Sequence, residues 1–247
     1  DSDRLEIRTK ISNGDGTYQS YSQEFGCGTE IWNKGAPMIA DVNGDGKDDI
    51  VFAFTYNQSV KIKIFKIKIM VSRIITLISN GNGTYKFYFF NYDILGESFN
   101  KGAPMVGDIN GDGRDDIVFA FYDTWGCRKL EIRALKYMGN GAYKIFCAQE
   151  FSDGPEIWEK GPPMIADING DGKDDIVFAL HYYWTRPGTR AIYEKCELRT
   201  KISAGSGDMC KFESKTQYLF GGCREWWSNC QPMTAAINGD GKDDIVF

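Results

Sequence analysis

One segment recurs four times along the chain, and no other feature constrains the fold as strongly. It reads Pro37-Met38-Ile39-Ala40-Asp41-Val42-Asn43-Gly44-Asp45-Gly46-Lys47-Asp48-Asp49-Ile50-Val51-Phe52 and returns at 104–119, 163–178 and 232–247. The first loop position moves from 41 to 108, 167 and 236, at intervals of 67, 59 and 69 residues. Self-similarity at such a period marks a repeat architecture, in which each repeat is one supersecondary unit. A second pattern lies between the copies. It starts as Leu5-Glu6-Ile7-Arg8-Thr9-Lys10-Ile11-Ser12 with the turn Asn13-Gly14-Asp15-Gly16-Thr17-Tyr18. Its relatives are Leu130-Glu131-Ile132-Arg133 with Gly139-Asn140-Gly141, and Glu197 to Ser203 with Gly205-Ser206-Gly207. The second interval diverges from Val60 to Ser79 and still ends in Asn80-Gly81-Asn82-Gly83-Thr84-Tyr85.

Every interval reads as β-structure. Ile50-Val51-Phe52-Ala53-Phe54 has the length and apolarity of a short buried strand, and Lys61 to Ile69 alternates lysine with apolar residues at period two. The Asn-Gly clusters supply positive φ at low cost and predict hairpin turns. One repeat is then four strands, which is the signature of a propeller blade. The chain opens at the third strand of a blade and closes at the second strand of another. We therefore expect an all-β, four-bladed β-propeller closed by pairing of N- and C-terminal strands, which would remove an open sheet edge. The expected blades of this single domain, 1–247, are 36–92, 103–151, 162–221, and 231–247 together with 4–25. A fragment of a larger propeller is the competing expectation.

The turn from strand one to strand two reads Asp-x-Asn-Gly-Asp-Gly-x-Asp-Asp. Calcium takes several oxygen ligands at once, and a sharp glycine turn lets successive side chains converge on one point. The expected donors in the first copy are Asp41, Asn43, Asp45, the Lys47 carbonyl and Asp49. The second offers Asp108, Asn110, Asp112, the Arg114 carbonyl and Asp116, and the third Asp167, Asn169, Asp171, the Lys173 carbonyl and Asp175. The fourth opens on Ala236, which leaves Asn238, Asp240, the Lys242 carbonyl and Asp244. A single copy could equally be a hairpin of turn-forming residues, but three intact copies in phase favour the cation. An EF-hand is excluded, because its twelfth-position glutamate and flanking helices are missing.

These motifs resemble the FG-GAP, or VCBS, repeat, over essentially the whole chain. That resemblance implies a calcium-binding β-propeller, as in integrin α-subunit heads and a group of mushroom lectins. The Val/Ile-Asn-Gly-Asp-Gly-Lys/Arg-Asp-Asp-Ile form looks most like the fungal lectins of the Psathyrella velutina type. Those have seven blades, against the four expected here. FG-GAP repeats also serve as accessory modules of enzymes and adhesins.

Strand direction puts the calcium loops and the Gly-rich hairpins at one face, and the remaining loops at the other. The second face is rich in aromatic residues. It holds Trp32-Asn33-Lys34-Gly35, Phe99, Trp158 and Trp226-Trp227 in the loops entering each blade, and Tyr56, Tyr122, Trp125, and Tyr182-Tyr183-Trp184 between strands two and three. Rings beside polar side chains suit a shallow sugar site, where the C–H face of a pyranose packs on the ring. The repeated Trp32, Phe99 and Trp158 fit blade-to-blade packing equally well, whereas the variable Tyr56, Tyr122, Trp125 and Tyr182 to Trp184 fit ligand contact better. The leading expectation is a calcium-stabilised lectin with several sugar sites, strengthened by multivalency on glycans or glycoproteins and open to homo-oligomer formation. An integrin-like protein-binding adhesion module and an accessory domain of an enzyme are the alternatives.

Composition narrows the field. Lys and Arg number 29 against 34 Asp and Glu, a formal net charge of −5, which argues against a nucleic-acid ligand. The lone histidine, His181, leaves little room for histidine-based zinc sites or a Ser/His/Asp triad. We expect no catalytic residues: the repeated loop carboxylates are assigned to cations, not to a glycosidase pair. No apolar run reaches the length of a membrane span. Asp1 to Arg4 shows no signal-peptide core, so a processed or leaderless chain is expected. The cysteines number seven, an odd count, and Cys223 and Cys230 bracket a short loop that is the expected bridge. Asn57-Gln58-Ser59 and Asn82-Gly83-Thr84 are glycosylation sequons if the chain is secreted. Calcium loops and disulfides favour an extracellular setting, with an intracellular fungal lectin as the alternative.

Overall fold

The computed structural model describes residues 4–26, 36–62, 65–92, 104–122, 129–152, 163–185, 188, 192–205, 210–219 and 232–247. All regular structure in them is strand. Strands β1 (Leu5–Ser12) and β2 (Tyr18–Phe25) form an antiparallel pair, and β3 (Met38–Ala40), β4 (Asp49–Ile62), β5 (Phe65–Ser79) and β6 (Tyr85–Tyr92) form a four-stranded sheet in that order. A second four-stranded sheet orders β7 (Pro104–Gly107), β8 (Asp116–Tyr122), β9 (Leu130–Gly139) and β10 (Ala142–Phe151). A third orders β11 (Met164–Ala166), β12 (Asp175–Thr185), β13 (Ile192–Ser203) and β14 (Phe212–Leu219). Strands β15 (Met233–Ala235) and β16 (Asp244–Val246) form the last pair. Sequence-adjacent strands pair, as expected when short turns join them. The β1–β2 and β15–β16 pairs stand as separate two-stranded sheets, with no β16–β1 ladder among the described residues.

The chain clusters into two compact units, Asp1–Pro104 with Lys136–Lys144, and Met105–Leu135 with Ile145–Phe247. In the first unit Val51 to Phe54 are buried and Ile50 is partly so, and alternate side chains of this run build one core. Phe52, Phe54 and Tyr56 of β4 meet Ile75 and Leu77 of β5 and Leu5 of β1. The β1–β2 pair is also stitched to β6 by polar groups. Gln23 Nε2 donates to the Tyr85 carbonyl at 2.9 Å while the Tyr85 N–H donates to Gln23 Oε1 at 2.7 Å, so the side-chain amide completes a backbone-like pair. The β9–β10 turn belongs here as well. Tyr143 and Thr76 share a buried hydroxyl–hydroxyl hydrogen bond of 2.7 Å.

That turn is a two-residue connection, Asn140-Gly141, with φ of 51° and 79°. Positive φ at both positions is the requirement of a type I′ hairpin turn, which Asn-Gly meets at least cost. Gly141 is doubly constrained, because a Cβ there would sit 2.4 Å from Cβ of Tyr88.

In the second unit the same apolar run recurs as Val118 and Ala120 of β8 and as Ile176, Phe178 and Leu180 of β12. These pack with Leu130, Ile132 and Ala134 of β9 into a core spanning both sheets. The glutamine device repeats: Gln149 Nε2 donates to the Phe212 carbonyl at 3.1 Å, and the Phe212 N–H donates to Gln149 Oε1 at 2.8 Å. Cys147 and Cys210 form a disulfide between β10 and the segment leading into β14, and Cys196 is also disulfide-bonded. The expected Cys223–Cys230 bridge lies outside the described residues.

Two segments read as loops are strand. Thr55-Tyr56-Asn57 lies inside β4, whose ladder with β5 runs on to the pair Ile62 and Phe65, so most of the regular Lys61 to Ile69 stretch forms the arms of one long hairpin. His181 to Thr185 lies in β12, paired through to Thr185 and Ile192. Period-two alternation there continues the strand past its buried core, which a reading anchored on the apolar run stopped short of.

Candidate functional site

Each cation-type loop joins the first two strands of a sheet. In the two sheets built from β3–β6 and β11–β14 it is tied to the hairpin at the same end: the buried Asp49 accepts the Ser79 N–H at 2.8 Å, and the buried Asp175 accepts the Ser203 N–H at 2.8 Å. The turn itself curls because its glycines sit at positive φ, and the curl aims successive N–H groups inward. Such a nest is an anion-binding concavity. The first-position carboxylate of the same loop fills it. Asp41 Oδ1 accepts from Gly44 and Asp45 at 2.8 and 3.1 Å, and Oδ2 from Gly46 at 2.7 Å. Asp108 holds Gly111, Asp112 and Gly113 at 2.7, 3.1 and 2.8 Å, and Asp167 holds Gly170, Asp171 and Gly172 at 2.7, 3.2 and 2.8 Å. Ala236 has no oxygen to do this in the fourth loop.

The fifth-position aspartates Asp45, Asp112, Asp171 and Asp240 accept the N–H of Lys47, Arg114, Lys173 and Lys242 at 3.0 to 3.1 Å. Asp45 also binds the Lys47 ammonium at 2.9 Å, which holds its carboxyl below the usual range. The ninth-position aspartates of the first three loops are shifted the other way. Burial pushes Asp49 and Asp175 up to about 6, and Asp116, which is 1% exposed, up to about 8, with the charges of Asp112 and Asp108 adding to the last. These loops therefore concentrate carboxylate charge around a desolvated acid. Asn110 is 5% exposed; its Nδ2 donates to Asp116 at 3.1 Å, while its Oδ1 is the one described buried side-chain polar atom without a hydrogen-bond partner.

The donor set fits a hard cation. It consists of oxygens alone, and the orphaned Asn110 oxygen sits in the loop with the most strongly perturbed acid. Among the described residues, no three His, Cys, Asp or Glu side chains converge as metal ligands. The physical reason is that the first-position carboxylates lie over their own N–H nests and the fifth-position ones turn to the following residue.

Two eighth-position aspartates, Asp174 and Asp243, which the ligand spacing leaves unassigned, link adjacent loops. The Asp108 N–H donates to Asp174 Oδ2 at 2.8 Å, and the Asp174 N–H returns to the Asp108 carbonyl at 2.8 Å. The Asp167 N–H donates to Asp243 Oδ2 at 3.1 Å, and the Asp243 N–H to the Asp167 carbonyl at 2.8 Å. Asp108 and Asp167 are thus each anchored by the next repeat. Gly107 is small for this reason: a Cβ would lie 2.5 Å from Asp174 Oδ2. A Glu-x-Arg repeat adds ion pairs on the strands. Glu197 pairs with Arg199, and Glu131 Oε1 with Arg133 at 2.6 Å, because residues two apart share a strand face. The recurring Gln-Glu-Phe at 23–25 and 149–151 was the available signal for the glutamine bridges.

Of the expected sugar contacts, Trp32, Asn33, Lys34, Gly35, Phe99, Trp125, Trp158, Trp226 and Trp227 lie outside the described residues. Tyr122, Tyr182, Tyr183 and Trp184 are strand residues by backbone, with side chains outside that set, as is the side chain of Asn57. Tyr56 is 7% exposed, packed in the β4–β5 core with the Arg73 guanidinium 4.8 Å over its ring, so it presents little surface to a ligand. Asn82 is in an exposed turn, with Oδ1 accepting from Thr84 Oγ1 at 2.7 Å.

A family model described as FG-GAP-like repeat matches residues 167–247. The T-cell immunomodulatory protein homolog of Plasmodium falciparum (isolate 3D7) is 28% identical over 147 residues, 57% of this chain and 18% of that protein. Integrin alpha-4 of Xenopus laevis is 22% identical over 152 residues, 57% of this chain and 14% of its own length. Integrin alpha pat-2 of Caenorhabditis briggsae is 27% identical over 176 residues, 67% of this chain and 13% of its own length. The chain therefore spans less than a fifth of the length of each of these relatives.

Proposed function

We propose that this chain is a calcium-stabilised extracellular binding module built as a propeller of FG-GAP-type repeats. The observation that carries the reading is the repeated loop in which a carboxylate-filled N–H nest stands beside a buried aspartate, with the unsatisfied Asn110 oxygen in the second copy. Asp41, Asn43, Asp45, the Lys47 carbonyl and Asp49 would hold one ion, and their counterparts at 108–116 and 167–175 two more. Bound calcium would neutralise the carboxylate repulsion in each loop. Asp41, Asp108 and Asp167 keep spare lone pairs for it while retaining their N–H partners. Within each unit the short pair packs on a neighbouring sheet, β1–β2 on β3–β6 and β15 on β11, as strands of successive blades would. The Cys147–Cys210 bridge and the exposed Asn82 sequon suit an oxidising, secretory setting.

The integrin alpha matches favour a protein ligand, and the aromatic, polar segments around Trp32, Phe99, Trp158 and Trp226 favour a glycan. We take adhesion to protein as the first reading and sugar binding as the second. Both place the ligand at the sheet ends opposite the cation loops, so calcium supports the scaffold and does not bridge to ligand. The test is adhesion of intact cells to the immobilised chain in calcium, before and after trypsin or glycosidase treatment of the cells. Loss on trypsin with survival of glycosidase supports the first reading. Loss on glycosidase alone supports the second, and absence of adhesion throughout contradicts both.

The anchoring of one loop by the next gives a sharper expectation. Asp174→Ala removes the acceptor of the Asp108 N–H, and leaving such a group unsatisfied costs about 1–3 kcal/mol. Calcium affinity of the second loop should fall about tenfold while the third keeps its own donors. Calcium-dependent hydrogen exchange at Gly111 and Gly170 separates the two loops. Equal weakening at both would contradict the assignment.

A further inference from the structure

The third and fourth loops make an internal control. Ile168 to Phe178 and Ile237 to Phe247 are the same eleven residues, Ile-Asn-Gly-Asp-Gly-Lys-Asp-Asp-Ile-Val-Phe. They differ just before, where Asp167 in one is Ala236 in the other. Both Asn-Gly steps are solvent-exposed. Asn169 and Asn238 are also held alike, each accepting the N–H two residues on, at 2.8 and 2.9 Å. The difference falls on the following glycine. The Gly170 N–H is bound to Asp167 Oδ1 at 2.7 Å, whereas among the described residues the Gly239 N–H makes no hydrogen bond. In the first and second loops Gly44 and Gly111 are bound as Gly170 is.

We propose that, among the four repeat loops, Asn238 is the selective site of spontaneous deamidation, and that the first-position aspartate protects the other three loops. In this reaction the backbone nitrogen of the following glycine is the nucleophile. The Gly239 nitrogen loses its proton to solvent base and attacks Asn238 Cγ. A Gly239 N–Cγ bond forms, the Cγ–Nδ2 bond breaks, and Nδ2 leaves as ammonia. Water then opens the cyclic imide. Attack at Cγ gives aspartate in an ordinary backbone, and attack at the main-chain carbonyl of residue 238 gives an isoaspartyl link. No oxidant or reductant takes part. A carboxylate that accepts the glycine N–H opposes its deprotonation and holds the nitrogen away from the amide. Glycine is the residue that least obstructs the attack, so the intrinsic reactivity of all four steps is the same. The product adds a negative charge to the one loop that lacks a first-position carboxylate.

The experiment incubates the folded, full chain at mildly alkaline pH and follows Asn43, Asn110, Asn169 and Asn238 by peptide mass and isoaspartate detection. Loss of one charge-assisted hydrogen bond is enough to make Asn238 react about tenfold or more faster than Asn169. Ala236→Asp, which copies the third loop, should slow Asn238 to the rate of Asn169. The chain held above its unfolding transition is the reference in which both rates converge. Equal rates at Asn238 and Asn169 in the folded chain, or an Asn238 rate unchanged by Ala236→Asp, would overturn the proposal.

Discussion

Chelating calcium is expected to lower the unfolding free energy by about 8 kcal/mol when each of three loops is held near a hundredfold above its dissociation constant, since each site then contributes about 2.7 kcal/mol. The structural reason is the electrostatics of the empty loops. Asp116 is buried beside Asp108 and Asp112, and Asp49 beside Asp41 and Asp45, so each unliganded loop holds repelling carboxylates in a desolvated place. Their pKa values are raised by burial first and by these neighbours second, which means the charged form is disfavoured until a cation offsets it. Urea unfolding with saturating calcium and with chelator measures the difference. A midpoint that does not move would mean that the nests and interloop anchors alone hold the loops.

The disulfide should have the second-largest effect. Cys147 and Cys210 are 63 residues apart and close a large covalent loop around the third sheet's first three strands. On the chain-entropy account, cross-linking a loop of that length stabilises by about 4 kcal/mol. The variant should be Cys147→Ala with Cys210→Ala, because serine would place a hydroxyl in the apolar cluster where Cys147 sits. A reductant is the poorer probe, since Cys196 is also disulfide-bonded. The double variant should lose about 4 kcal/mol in unfolding with the sheets intact by far-ultraviolet dichroism. A loss below about 1 kcal/mol would place the stabilisation in the surrounding apolar core instead.

What the sequence made legible follows from what is local. Strand runs such as Ile50 to Phe54, the Asn-Gly turns and the four loops depend on neighbouring residues, and each was readable at its own position. The Cys147–Cys210 bridge joins different repeats, and cysteine spacing does not encode which partner is near. Tyr56 looked like a loop aromatic because the apolar run ends at Phe54, while the period-two pattern carries β4 further and turns Tyr56 inward under Arg73. Asp174 and Asp243 were read past because a spacing rule assigns donors within a loop, and these two act on the loop before. The empty first position at Ala236 was legible from the start, but its consequence for the Gly239 N–H needed the geometry of the other nests.

On the proposed reading, the first-position aspartate decides which loops hold calcium. Calorimetric titration of the full chain, beside the Ala236→Asp variant, tests it most directly. Three strong sites in the parent chain, becoming four in the variant, is the predicted result. Four equivalent sites in the parent, or none, would contradict it.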